Sequence, residues 1–445
     1  MASKIEKVHE NVAGIDIGST RFFVGVDSDE GSDEVKSFDT YTQGCNDLLE
    51  HLKQKGIKKV GMEATGSYWQ ILYRILTENG IEVLVANGRH IKHVPGRKTD
   101  VKDCVWIKEL HKHGLLRGSF IPKSQVETLR HYLRIREKYI ENKADAVRRM
   151  DKALIAMNIR ISNAVSDIQG KSAMAMIEAI VNGQRNAEEL IKLCDIRIIS
   201  KKKEEVLKSL NGFYKHEQLF ALQCAYDEYK FYIGKIAQCD QKAEEILDLL
   251  TKDKPEITTK QQFKRIYHNK PQIKDLDIKM MQLYDGKNYT VLPGITSYTL
   301  LRFYGETGDD YSVWPTDKCF TAWLALASSK FQSGKSRKYK KIKCNTAAGQ
   351  ILKEAAQSLL KSKNNALGLW GRQVAARRGP AVAIKAMARK LAVWIYNMKT
   401  KGMQFVENGI KQYEEKQKQK NLKWLKKQAA KYNLALVDLD TAQVA

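Results

Sequence analysis

Four acidic residues stand where a sheet would gather them. Asp16 lies near the end of a short apolar run in GIDIGST, Glu63 ends another in GMEATGSYW, and Asp100 and Asp103 sit three apart in KTDVKDCVW. Side chains alternate faces along a strand, and the C-terminal edge of neighbouring strands is where α/β sheets hold ligands. Residues three apart at the start of a helix project from one face, so all four carboxylates can converge. Hard oxygen donors of this kind suit Mg2+ or Mn2+, and two such ions stabilise the attacking and leaving oxygens of an in-line phosphoryl displacement. Gly18, behind Asp16, would let backbone or phosphate come close. Each acid also has an ordinary reading: Asp16 as a turn former, Glu63 as a solvated strand end, Asp100 or Asp103 as a helix cap. Their joint placement favours the metal site.

A second stretch suits phosphate. Between Lys330 and Lys343 stand seven cations, Lys330, Lys335, Arg337, Lys338, Lys340, Lys341 and Lys343, interleaved with Phe331 and Tyr339 and without one acid. Such a run offers phosphate contacts with occasional stacking, or it is a flexible solvated loop.

The elements that must position these groups follow from periodicity. NVAGID, RFFVGVD and EVKSFDT read as strands close enough to pair antiparallel, then CNDLLEHLKQ as a helix. KKVGME and IEVLVAN are further strands, with helices YWQILYRILTENG between them and TDVKDCVWIKELHKHG after them. This order predicts an α/β RNase H-like, RuvC-like N-terminal domain. From Pro122 to Pro255 no proline intervenes, and the stretch is rich in Lys, Glu, Ala, Leu and Ile at three and four spacing. Long hairpinned helices or a coiled coil are expected there, whose ordinary role is spacing and dimerisation. The polar stretch from Thr251 to Asp275 reads as a linker or insertion. A mainly α region follows, from VLPGIT through FTAWLALASS to AAGQILKEAAQSLLK, and after Gln404 a basic amphipathic helix, KQKQKNLKWLKKQAAKY.

With 76 Lys and Arg against 51 Asp and Glu, the formal charge of the 445-residue chain is +25, which attracts polyanions and makes nucleic acid the first partner to consider. Seven cysteines, in odd number and without CxxC pairs, argue against a disulfide framework. No apolar signal core opens the chain and no run of about 18 apolar residues could span a bilayer, so a soluble, cytoplasmic protein is expected.

GIDIGST, MEATGSYW and KTDVKDC resemble, in order and spacing, the acidic motifs of the DEDD-type transposases of the insertion sequence 110 family, the bridge-RNA-guided recombinases. LPGIT followed by FQSGK is similar to that family's C-terminal transposase domain. The resemblance implies that Asp16, Glu63, Asp100 and Asp103 hold Mg2+ or Mn2+ and that Ser333 is the nucleophile that attacks a DNA phosphate. It also implies a guide RNA that pairs with donor and target DNA, and a nucleoid-associated prokaryotic enzyme acting as a dimer or tetramer. The family pattern carries Gly-Leu-x-Pro and a doubled serine before the glycine, whereas this chain has LALASSKFQSGK, so Ser328 and Ser329 compete with Ser333. The implied organisation is a catalytic domain over 11–118, a helical coiled-coil connector over 119–287, a transposase domain over 288–403 and a basic tail over 404–445. Rival readings are a Holliday-junction-resolvase-like hydrolytic nuclease, an actin- or hexokinase-like phosphotransferase that would need a second glycine-rich phosphate loop, for which Gly294 in LPGIT is a poor candidate, and a non-enzymatic nucleic-acid scaffold.

Overall fold

The computed structural model describes residues 6–28, 32–88, 100–327, 329–333, 336–340, 346–362 and 365–435, and for 100–102, 329–333 and 336–340 the backbone alone. The chain divides into two compact units, Met1–Ile121 and Pro122–Ala445.

The first unit is built on five strands: β1 (Val12–Ile17), β2 (Arg21–Asp27), β3 (Asp33–Asp39), β4 (Lys59–Glu63) and β5 (Glu82–Ala86). They stand in the order β3-β2-β1-β4-β5, with β2 antiparallel to both β1 and β3 and with β4 and β5 parallel to β1. This is the RNase H-like order that the spacing of the apolar runs predicts. Alternation sorts each strand into two faces. Ala13, Ile15 and Ile17 of β1, Phe22, Val24 and Val26 of β2, and Val60 and Met62 of β4 share one core with Leu48 and Leu52 of helix Thr42–Gln54 and Leu72 and Leu76 of helix Trp69–Glu78. The opposite face receives helix Asp100–Lys112, which packs on β1, β2 and β4.

Gly18 serves the turn between β1 and β2. Its N–H donates to the Arg21 carbonyl at 3.0 Å, and a Cβ would stand 2.6 Å from that oxygen. The glycine thus allows the close backbone approach of the chain reversal.

The second unit is mainly helical. Helices Ser124–Ala156 and His216–Thr251 run antiparallel, since Arg136 meets Asp240 while Arg149 meets Glu228. Short helices between residues 161 and 210 cap one end of the pair, sharing a core with Met150, Leu154, Leu222 and Tyr226. Near the other end Arg136 is buried, donating from Nε to Asp240 Oδ1 at 2.5 Å, from Nη1 to the Tyr298 hydroxyl at 2.6 Å and from Nη2 to the Asn269 carbonyl at 3.0 Å. Asp240 in turn accepts the Gln272 N–H at 3.0 Å. The polar stretch read as a linker is thus a strap pinned across the helix pair.

Helix Ser297–Thr307 starts at Thr296, whose Oγ1 accepts the Thr299 N–H at 3.2 Å. Just before it Gly294 has φ +71°, and a Cβ there would stand 2.7 Å from Leu359 Cγ on helix Ala347–Lys361. The LPGIT glycine is therefore a packing turn. That closeness removes it as the second phosphate loop of a phosphotransferase. Two helices, Ala366–Arg378 and Pro380–Lys401, complete this part, and Met403–Lys431 forms the tail.

The basic stretch is no loop where it is described. β6 (Ser329–Ser333) and β7 (Ser336–Lys340) pair antiparallel, with Ser333 opposite Ser336. Lysine is poor in strands on average, so composition hid the hairpin; cross-strand pairing overrides that preference. Among the described residues, no helix is long and apolar enough to cross a membrane.

A carboxylate edge on a glycine row

Three glycines decide where the acids go. Gly14 of β1 pairs with Gly25 of β2 and with Gly61 of β4, so the three form a row across the middle of the sheet. A Cβ on Gly14 would lie 2.1 Å from the Cys104 carbonyl oxygen and 2.3 Å from the Lys108 amide nitrogen; one on Gly25 would lie 3.2 Å from the Val105 nitrogen. One on Gly61 would meet Leu116 Cδ1 at 2.8 Å and His111 Cβ at 3.3 Å. At Gly14 the helix backbone comes closer than any side chain would permit, at Gly25 it is in tight contact, and over Gly61 the side chains of Ile107, His111 and Leu116 fill the space.

Asp16 is two residues beyond Gly14 and Glu63 two beyond Gly61, so both belong to the face that carries the helix. Ile15 pairs with Met62, which makes Asp16 and Glu63 next neighbours in the parallel register. Both are half-buried. The Glu63 carboxylate extends toward Gly88, just past β5, where a Cβ would stand 2.0 Å from Oε1 and 2.7 Å from Cδ.

The helix runs antiparallel to β1, bringing its first turn to the same edge. Asp103, half-buried, precedes Cys104, whose carbonyl covers Gly14. Burial, aided by the charges of Asp16 and Asp103, pushes the Cys104 thiol up to about 11. Asp100 opens the helix one turn earlier; its side chain lies outside the described residues. Beside the edge a cleft of about 460 Å3 is lined by Ser19, Thr40, Ser67 and Arg74 together with the apolar Phe22 and Ile71, from the segments that follow β1, β3 and β4 and from β2.

At the far end of the same helix, Asp27, Asp33 and Glu109 bring ligand oxygens within 4.8 Å of one another. These are not the motif acids. Lys108 Nζ, fully buried, stands 2.5 Å from both Asp27 and Asp33, and Lys112 Nζ 2.6 Å from Asp27. Burial raises the Asp27 carboxyl, but hydrogen bonds from Lys108 and Lys112 outweigh it and hold the group below its ordinary value. Burial likewise depresses the Lys108 ammonium, and its bonds to Asp27 and Asp33 reverse the shift. Two ammonium groups already offset most of the charge of the three carboxylates, so the cluster clamps the helix and is engaged without a cation.

Residues 13–159 match the family model for DEDD-type IS110 enzymes, described as Transposase, and residues 287–369 match the model described as Transposase IS116/IS110/IS902 family. The chain belongs to the IS110 family of transposases. Comparison with curated proteins gives no match. The transposase is thus a DNA-cleaving and recombining enzyme, and DNA is its partner. The first match contains all four motif acids, the second contains the β6–β7 hairpin, and residues 160–286 belong to neither.

Ser333 ends β6 opposite Ser336, in the second unit, whereas the acids belong to the first. Of its competitors, Ser329 opens β6 opposite Lys340, and Ser328 lies outside the described residues. Lys330, Arg337, Lys338 and Lys340 are on the hairpin strands; Lys335, Lys341 and Lys343 fall outside the described residues. Sequence reasoning missed Gly14, Gly25, Gly61, Gly88 and Lys108. The signal for the first three was present: alternation leaves small residues where the second face of each strand would otherwise carry a large one.

Proposed function

We propose that the transposase cleaves and exchanges DNA strands with Mg2+ or Mn2+ held by Asp16, Glu63, Asp100 and Asp103 and with Ser333 as the nucleophile. The observation that carries this reading is the glycine row, which brings two strand ends and the first turn of a helix to one edge. The donor set is all carboxylate oxygen, which fits a hard divalent ion. When bound, such ions stabilise the oxygens of an in-line phosphoryl displacement.

The serine supplies what recombination needs beyond cutting. Its Oγ forms a bond to phosphorus as the P–O bond of the strand breaks; the serine proton passes to water and the departing oxygen takes one up. Attack by a hydroxyl of the second strand then releases Ser333 and closes the new phosphodiester. The ester conserves the bond that hydrolysis would lose. The cations from Lys330 to Lys343 hold the phosphate backbone in this reading.

A guide RNA that pairs with donor and target DNA carries the sequence choice, while the protein reads backbone and shape. The catalytic domain is 11–118, the connector 119–287, the transposase domain 288–403 and the tail 404–445. Two duplexes must be held together, which requires a homo-oligomer, a dimer or a tetramer.

A hydrolytic, resolvase-like reading draws on one observation: the described acids and the helix that supports them lie within the first unit, without Ser333. The test is cleavage of labelled duplex DNA with Mg2+ and co-expressed RNA, run on denaturing gels before and after protease. The expected result is a protein-linked strand that is lost in Ser333→Ala and in Asp16→Ala. Metal-dependent cutting with no adduct assigns the hydrolytic reading instead. An adduct that persists in Ser333→Ala and disappears in Ser329→Ala or Ser328→Ala moves the nucleophile.

A further inference from the structure

The tail helix Met403–Lys431 changes character part-way along. Its first half is anchored: Val406 and Gln417 are buried, and Tyr413 packs edge-on to Trp394 at 6.2 Å with the Lys390 ammonium 3.1 Å from its ring centroid. Beyond Gln417 none of the described residues is buried.

This free half holds a pattern. From Lys416 to Lys431 there are seven lysines and no acid, all seven exposed. Five of them, Lys416, Lys420, Lys423, Lys427 and Lys431, recur at intervals of four, three, four and four. At 3.6 residues per turn they fall within about 80° of one another, along a stripe roughly 22 Å long. Trp424 is exposed beside it, while Leu422 and Leu425 occupy the opposite side.

Like charges at three and four spacing destabilise an isolated helix, so the stripe has a cost that an ordinary solvated face avoids by interspersing acids. A polyanion removes that cost. Duplex DNA presents a phosphate on each strand every ~3.4 Å of axis, and a rigid row of ammonium groups releases its condensed counterions on contact. Membrane binding suits the helix less, because its apolar side holds few large residues and an interfacial helix needs a continuous one.

We propose that the lysine stripe of the tail helix is a second DNA contact of the transposase, a backbone clamp on double-stranded DNA that is separate from the acidic edge and the basic hairpin. It rests on membership of a DNA-acting family and not on the serine or the metal. Binding equilibria therefore test it even where the proposed chemistry fails.

The experiment compares the full chain with a variant carrying Lys→Gln at 416, 420, 423, 427 and 431, by titration of labelled duplex DNA across a salt series. Each phosphate contact contributes about 0.9 to the slope of log K against log salt, so the variant should lose about four to five from that slope. Lys→Arg at the same five positions should restore it. Circular dichroism with an unchanged helical signal shows that the loss is not unfolding, as expected for exposed Lys→Gln changes of near-equal helix propensity. An unchanged slope on duplex DNA overturns the proposal. So does a loss confined to duplex RNA of the same length, or confined to vesicles of anionic lipid, either of which assigns the stripe to another partner.

Discussion

A methyl group at Gly14 would press on the carbonyl oxygen of Cys104 and the amide nitrogen of Lys108, backbone atoms that cannot swing aside. Gly14→Ala should therefore lift the helix that carries Asp103. Overpacking of this kind costs about 1–3 kcal/mol. The expected outcome is a lower thermal midpoint of the first unit together with lost DNA cleavage. Gly88→Ala separates the two effects. The atom that a Cβ would meet there is the far end of the Glu63 side chain, which can rotate away. Stability should hardly change, while cleavage should fall at least about tenfold, a loss near 1.4 kcal/mol of transition-state stabilisation. A Gly88→Ala enzyme that cuts at the normal rate would remove Glu63 from the proposed centre. The acids themselves were legible in the sequence, because a carboxylate at a strand end is visible in the chain. Their glycine partners show in the sequence only as small residues in the alternation, and a glycine in a strand means little until the register shows what lies across from it.

The helix Asp100–Lys112 is held at its far end by charge and burial, which makes its docking sensitive to acid. Burial holds His111 down to about 4, with His9 adding to the effect, and burial lowers His51 as well. A histidine whose folded value lies below 6.5 contributes stability that is complete above pH 6.5 and is lost as pH falls toward the folded value. Asp27, held below 3.8, extends the same trend to lower pH, where its bonds to Lys108 and Lys112 fail. The thermal midpoint of the first unit should thus decline from pH 6.5 downward. His111→Leu should flatten the part between 6.5 and about 4, and an unaltered pH profile would show that His111 is not buried in its neutral form. In the second unit the Arg136–Asp240 pair is closed from solvent on both sides. Arg136→Leu leaves Asp240 buried without its counter-charge, and should cost about 3–5 kcal/mol by denaturant titration. Helices of this length were readable from periodicity. The pinned strap and the β6–β7 pair were not, because local composition there favours loops; the strap is ordered by contacts distant in sequence, and the strand pair by cross-strand bonding that its lysine content disguises.

Across the whole molecule, the contact pattern separates residues 1–121 from 122–445. Calorimetry should show two transitions, of which acid shifts chiefly the one belonging to the first unit; a single transition that moves as one would contradict this division. The charge of +25 belongs to the same scale, since it favours DNA binding that weakens steeply with salt whatever the local contacts. The sequence by itself determined the order of strands and helices in the first unit, the positions of four acids, the basic stretch and the resemblance to the transposase family. Those features reside in local alternation, spacing and composition, which a linear reading preserves. The tertiary structure alone decided that Gly14, Gly25 and Gly61 share one row, that Lys108 answers Asp27 and Asp33, and that Arg136 and Asp240 close the helix pair. Each of these is a pairing between residues far apart in the chain, and its existence depends on strand register and helix docking that no local pattern encodes.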